Sequence, residues 1–172
     1  RECDSLILES SELSIAAQSE ATLVTGIVLE DLATLSLMNN QITLAGGSLA
    51  LRTAIDIRGG NGSVTGQRIQ AEDIALVARG LLMRTPSFRP GELMVANNVI
   101  DAGPATTLSE AARIENTQSS PSLAHSTWLV HNTLIARAEG SSDAIGLRIN
   151  EPVGTTLRTC LLVNNLIGIE GS

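Results

Sequence analysis

The sequence predicts an all-β protein, a right-handed parallel β-helix of about six coils with three short strands in each coil. Three observations predict this fold. A four-residue unit recurs about every 30 residues, the positions around it are aliphatic, and apolar residues within each unit alternate with period two, as they do in strands. The chain is 43% hydrophobic, so it can bury a core.

The recurring unit has the form NNxI. It reads NNQI at 39–42, NNVI at 97–100 and NNLI at 164–167, and HNTL at 131–134 is a fourth copy. Two degenerate copies, SSEL at 10–13 and GQRI at 66–69, fill the gaps. The second residues of the six units lie 29, 27, 31, 34 and 33 residues apart, and they are Ser11, Asn40, Gln67, Asn98, Asn132 and Asn165.

Two aliphatic columns fix the register of these units. Two residues after the polar position stand Leu13, Ile42, Ile69, Ile100, Leu134 and Ile167. Three residues before it stand Leu8, Leu37, Val64, Val95, Leu129 and Leu162. A further strand follows about fifteen residues on, as GIVL at 26–29, AIDI at 54–57, ARIE at 112–115 and AIGL at 144–147, with a shorter stretch between them.

The polar column predicts a ladder of side-chain amides inside a sharp turn. Stacked coils lie about 4.8 Å apart, so an amide in one turn can bond to the amide in the next. We expect Asn40, Gln67, Asn98, Asn132 and Asn165 to be buried in one turn column.

A leucine-rich repeat is the main rival architecture, because the segment 32–42 matches its LxxLxLxxNxI pattern once; the other five units lack the first LxxL step. The NNxI units, their spacing and their columns instead resemble the right-handed parallel β-helix repeats of the pectin-lyase-like superfamily, over nearly the whole chain. This resemblance implies the fold and a working face on the outer side of the first strand of each coil. It does not imply one function, since the same scaffold carries lyases, hydrolases, epimerases, adhesins and passenger domains.

The first-strand face carries no catalytic signature in the two outward positions of each strand. It offers one Glu at its edge and no Arg, whereas a hydrolase needs two acids across the scissile bond. We therefore predict no catalytic residues. The later coils instead predict a contiguous apolar stripe that meets a partner, another copy, or the chain's own segment 117–127; its residues are Met94, Trp128, Val130, Leu161 and Val163.

Composition excludes several function classes. All eleven basic residues are arginine, which excludes lysine nucleophiles and Schiff bases. With a net charge of −7, the chain lacks the basic surface that is typical of nucleic-acid binding. It contains no apolar run long enough to predict a membrane span. Phe88 and Trp128 are the only aromatic residues, so support for carbohydrate binding is weak.

The histidines and cysteines predict neither a cofactor nor a metal site. His131 stands beside the asparagine column and His125 in the loop before it, without a carboxylate or Cys partner, so His131 is interpreted as a turn residue. Cys3 and Cys160 lie roughly 24 Å apart at about 4.8 Å per coil, too far for a disulfide within one chain. We expect Cys160 to be a buried free thiol.

Two charged patterns predict surface contacts only. Glu30 and Arg58 occupy matching positions on adjacent coils and predict an ion pair between coils. Asp143 and Arg148 flank AIGL and are expected to be solvated strand ends.

The predicted organisation is a single domain over 1–172, expected to be a segment of a longer protein. The predicted function is a non-catalytic β-helix of a secreted or cell-surface protein, acting as stalk, adhesin or binding scaffold. The alternative is part of a carbohydrate-active β-helix enzyme, a polysaccharide lyase or hydrolase, whose catalytic residues lie outside this segment. Insertions at 84–92, 117–127 and 150–156 fall at one turn beside the first-strand face and support this alternative.

Overall fold

The computed structural model describes residues 4–18, 20–48, 50–85, 91–116, 125–150 and 160–171. These residues form strands and no helix, and every strand pairing between them is parallel. The strands are β1 (Ser5–Glu9), β2 (Glu12–Ala17), β3 (Leu23–Met38), β4 (Gln41–Gly46), β5 (Leu51–Thr65), β6 (Arg68–Ala71), β7 (Ala75–Thr85), β8 (Gly91–Ala96), β9 (Val99–Asn116), β10 (His125–Val130), β11 (Thr133–Ala138), β12 (Asp143–Asn150), β13 (Cys160–Val163) and β14 (Leu166–Gly171).

The strands stack on three sides of a parallel β-helix. The first side contains β1, the ends of β3 and β5, and then β8, β10 and β13. The second contains β2, β4, β6, the start of β9, β11 and β14. The third contains the starts of β3 and β5, then β7, the end of β9, and β12. The predicted fold is confirmed, and both aliphatic columns pair in the predicted register.

The number of turns differs from the prediction. Six strand segments stack on the first side but only five on the third, and the outermost described levels have a neighbour on one side only. About four turns are complete, rather than six. The predicted number was too high because it also counted the outermost units, whose strands have a neighbouring coil on one side only.

Three strands are longer than the short strands that the sequence predicts. β3, β5 and β9 contain 16, 15 and 18 residues, because they continue through a corner from one side to the next. Glycine permits the close approach at one corner: Gly62 has φ +149°, and a Cβ there would lie 1.8 Å from the carbonyl oxygen of Leu35. Only a residue without a side chain fits this position.

The core is aliphatic, as the composition predicts. Leu37, Val64 and Val95 of the first side and Ile42 and Ile100 of the second side are fully buried. Since these residues come from neighbouring coils, each coil completes the core of the next one.

The asparagine side chains in the turn form hydrogen bonds that join each coil to the preceding one. Asn98 shows the pattern: its Oδ1 accepts the backbone N–H of Gln67 at 2.8 Å. Its Nδ2 donates to the carbonyl of Val64 and to Oδ1 of Asn132, both at 2.9 Å. Asn98 is 1% exposed, so its partners are shielded from water.

The other asparagines of the column repeat this geometry. Their Nδ2 groups donate to main-chain carbonyls of the preceding coil, at Leu8 for Asn40, Val95 for Asn132 and Leu129 for Asn165. Gln67 departs from it. It accepts a bond from Asn40 Nδ2 at 3.0 Å, but its own Nε2 donates to Thr65 of its own coil at 2.8 Å. The link from Gln67 to Asn98 therefore runs through the backbone N–H of Gln67.

The residue before each ladder position has a left-handed backbone. The φ angles in this column lie between 48° and 65°, at Ser10, Asn39, Gly66, Asn97, His131 and Asn164. Asparagine and glycine adopt this conformation most readily, which explains the first Asn of the NNxI unit. The repeat predicts the column, whereas its backbone conformation is seen only in the structure.

His131 provides a test of this backbone role. It has φ 54° and is exposed, so burial does not complicate a substitution. We expect His131→Val to lower the free energy of unfolding by about 1–2 kcal/mol, because a β-branched residue disfavours this conformation. His131→Asn, which restores the NNxI form, should leave it within about 0.5 kcal/mol. Denaturant unfolding measures both variants, and equal stabilities would contradict a turn role.

One inward position of the third side holds a charged side chain. Arg52 is 1% exposed, and its guanidinium donates to the carbonyl of Gly46 at 3.1 Å and to the carbonyl of Asp73. Burial lowers the pKa of Arg52, and the Asp73 carboxylate opposes this shift. The side chain therefore joins two turns of neighbouring coils through their main-chain carbonyl oxygens.

Candidate functional site

The five residues of the predicted stripe come together on the first-strand face. Trp128 of β10 pairs with Met94 of β8 on one side and with Leu161 of β13 on the other. These three side chains are 41–44% exposed. Val130 and Val163 pair in the next outward column and are partly buried. The result is an apolar stripe that crosses three strands, in the register that the columns predict.

The column of Met94, Trp128 and Leu161 carries serine in two of the earlier coils, although it begins at the exposed Ile7 on β1. Ser36 pairs with Ser63, and Ser63 pairs with Met94, so the change from hydroxyl to apolar side chains occurs between β5 and β8. Residues 117–124, which the sequence analysis considered as a cover for the stripe, lie outside the described residues. His125, expected in a loop, instead begins β10.

A cleft of about 480 Å³ opens beside this stripe. The described residues that line it are Asn61, Gly62, Glu92, Leu93, Met94 and Trp128. Asn61 Oδ1 accepts the backbone N–H of Glu92 at 2.7 Å, which joins two lining residues from adjacent strands. Glu92 occupies a third outward position on β8, before the two outward positions from which the stripe was predicted.

The structure also contains a buried carboxylate that the sequence did not predict. Glu110 on the third side has a fully buried side chain surrounded by three arginines. Its Oε2 lies 2.7 Å from Arg79 Nε and 3.5 Å from Arg113 Nη1. Its Oε1 lies 2.9 Å from Arg148 Nε, close enough for an ion pair but without hydrogen-bond alignment. Arg148, expected as a solvated strand end, is thus part of this cluster.

Ion pairs extend the cluster across adjacent coils. Asp56, which is 4% exposed, lies 3.0 Å from Arg58 and 3.6 Å from Arg84. Arg58 also lies 3.6 Å from Glu30, as the matching positions on adjacent coils predict. Glu115 contacts both Arg84 and Arg113. Each buried acid therefore has an arginine counter-charge, which is typical of a structural network.

Neither the described histidine and cysteine positions nor the acids form a metal site. Within the described ranges, no three His, Cys, Asp or Glu side chains come together in a way that could hold a metal ion. Cys3 and the side chain of Cys160 lie outside the described residues, so the predicted free thiol stays a prediction. Of the described residues, none belongs to a helix long and apolar enough to cross a membrane.

Comparisons of this chain with protein-family models, with curated proteins and with solved structures found no match.

Proposed function

We propose that this chain is a non-catalytic β-helix of a secreted or cell-surface protein, and that it acts as a binding scaffold, such as a stalk or adhesin. The observation that carries the proposal is the apolar stripe. Met94, Trp128 and Leu161 are each 41–44% exposed and stand side by side on rigid, parallel strands. Contiguous exposed apolar surface of this kind is typical of an interface.

Burial of the stripe would contribute to association without being sufficient for it alone. Full burial of a large apolar side chain contributes about 1.5–3 kcal/mol, so covering three half-exposed ones would contribute about 3 kcal/mol in total. Trp and Met are also among the residues enriched in interfaces.

The carboxylates of the face support a binding role over hydrolysis. Among its described residues these are Glu9 on β1 and Glu92 on β8. They lie three strand spacings apart across the strands and four residues apart along them, so their Cα atoms are about 20 Å apart. The two acids of glycoside hydrolases lie about 5–9.5 Å apart.

The proposed relationship is to the pectin-lyase-like superfamily, supported by the NNxI units and the parallel β-helix. The same relationship favours a second candidate function, part of a carbohydrate-active enzyme. One observation supports it: the cleft of about 480 Å³ is lined by both an indole and a carboxylate. Release of reducing or unsaturated ends from acidic polysaccharides by the purified protein, lost in Glu92→Gln, would favour this candidate over the first.

The test of the binding face is the double variant Met94→Ser with Trp128→Ser. We expect it to abolish concentration-dependent growth of the molar mass in solution, or binding to an immobilised extract of cell-surface proteins. The reason is that serine removes the apolar area that association would bury. Sedimentation equilibrium and surface binding measure the two readouts.

Leu23→Ser with Val28→Ser is the matched control, because it removes two exposed apolar side chains, 68% and 47% exposed, from the third side. The control should behave as the unmodified protein does. Identical assembly and binding for all three proteins would remove the interface from consideration.

A further inference from the structure

The cleft beside the stripe combines three chemical groups on two adjacent strands. Trp128 and Met94 pair directly across β10 and β8, and Glu92 lies two residues before Met94 on the same face. From the strand spacing and the rise per residue, the Cα atoms of Glu92 and Trp128 lie about 8 Å apart. A group that sits on the indole ring is therefore within reach of the Glu92 carboxylate.

The Glu92 carboxylate has no cationic partner in the part of the chain that the structure describes. It is exposed, and the other lining residues that the structure describes are uncharged. The arginines that form ion pairs do so with other carboxylates: Arg58, Arg79, Arg84, Arg113, Arg137 and Arg148. The chain as a whole carries a net charge of −7.

We propose that this cleft receives an arginine side chain from a partner protein. The charge of the cleft selects a cation, and the indole face attracts a cation through its quadrupole. Arginine fits better than lysine, because its planar guanidinium can stack on Trp128 while its N–H groups donate to the Glu92 carboxylate. Met94 lies beside the ring and contacts the aliphatic part of the side chain.

This inference rests on the proposed binding role of the first-strand face and adds the chemistry of the partner. A sugar is the other ligand to consider in the same cleft. The described lining offers one aromatic ring, one carboxylate and one amide whose oxygen already accepts the Glu92 N–H. A cation can form an ion pair with the carboxylate and also stack on the ring, whereas a neutral sugar leaves the negative charge without a counter-charge.

Trp128 makes the test direct, because it is the only tryptophan and the chain contains no tyrosine. The probes are acetyl-Gly-Arg-Gly-amide and the neutral analogue with citrulline in place of arginine. We expect the arginine peptide to change the Trp128 fluorescence saturably. The citrulline peptide, and the arginine peptide with Glu92→Gln, should bind about threefold to fivefold more weakly. Added salt should weaken the binding of the arginine peptide but not the binding of the citrulline peptide.

Glu12→Gln is the matched control, because it removes one exposed carboxylate from the second side and should leave the affinity unchanged. Equal binding of the two peptides, no saturable binding, or equal affinity in Glu92→Gln would overturn the arginine site. A fluorescence response to galacturonate oligosaccharides alone would overturn it in favour of a sugar site. These failures leave the mass and surface-binding result of the Met94→Ser, Trp128→Ser variant unaffected, so the two proposals can fail separately.

Discussion

Replacing Asn98 with leucine is expected to lower the free energy of unfolding by about 3 kcal/mol. The Asn98 side chain is 1% exposed and forms hydrogen bonds to both the preceding and the following coil. Leucine would leave the N–H of Gln67 and the carbonyl of Val64 without their hydrogen bonds, in a place that water does not reach. An unsatisfied buried polar group costs about 1–3 kcal/mol, and two such groups account for the expected value. Urea unfolding followed by circular dichroism measures it.

Asn150→Leu is the control for this substitution. Asn150 is an exposed residue at the end of β12, outside the ladder, so the same exchange there should change the stability by no more than about 0.5 kcal/mol. If Asn98→Leu is as well tolerated as Asn150→Leu, the amide bonds add nothing to the stacking of the coils.

The ladder and the two aliphatic columns could be predicted because they recur at the same point of every coil. A position that faces the interior in one coil faces it in the next, so a repeat of about 30 residues records the register directly. The stripe was predictable for the same reason. Once the inward columns are known, alternation along the strand gives the outward residues Met94 and Trp128.

The register of the third side could not be read from the sequence in this way. Ile27 pairs with Ile55, as the strings GIVL and AIDI predict. However, Ala144 of AIGL pairs with Ser109 rather than with the first residue of ARIE at 112. The turns that precede this side differ in length from coil to coil, so distance along the chain does not fix the pairing there.

The Glu110 cluster could not be predicted for the same reason. Glu110 pairs with Arg79 and Ile145, and this juxtaposition depends on the third-side register. Outward positions of a strand are usually solvated, and nothing in the local sequence indicates that three arginine side chains cover this carboxylate. The cleft could not be predicted either, because it also depends on a contact between coils, the hydrogen bond from the Glu92 N–H to Asn61.

Glu110→Gln is expected to lower the free energy of unfolding by about 3 kcal/mol, because it removes the counter-charge that two partly buried arginines share. Glutamine preserves the shape of the side chain, so the effect reports the charge. Arg79 and Arg148 are 21% and 31% exposed and have no other carboxylate within ion-pair distance among the described residues. In Glu110→Gln, the Arg79 and Arg148 side chains must therefore either turn towards water or remain without a counter-charge.

The matched control is Glu30→Gln at the exposed end of the same network. Glu30 is 63% exposed and lies 3.6 Å from Arg58, so its loss should cost less than about 0.5 kcal/mol. Unfolding in about 1 M salt separates the two cases further, since salt screens an exposed pair strongly and a buried one weakly. The cost of Glu110→Gln should therefore persist in high salt. If it falls to the level of Glu30→Gln, solvent already screens the Glu110 carboxylate, and the arginines around it are independent surface residues.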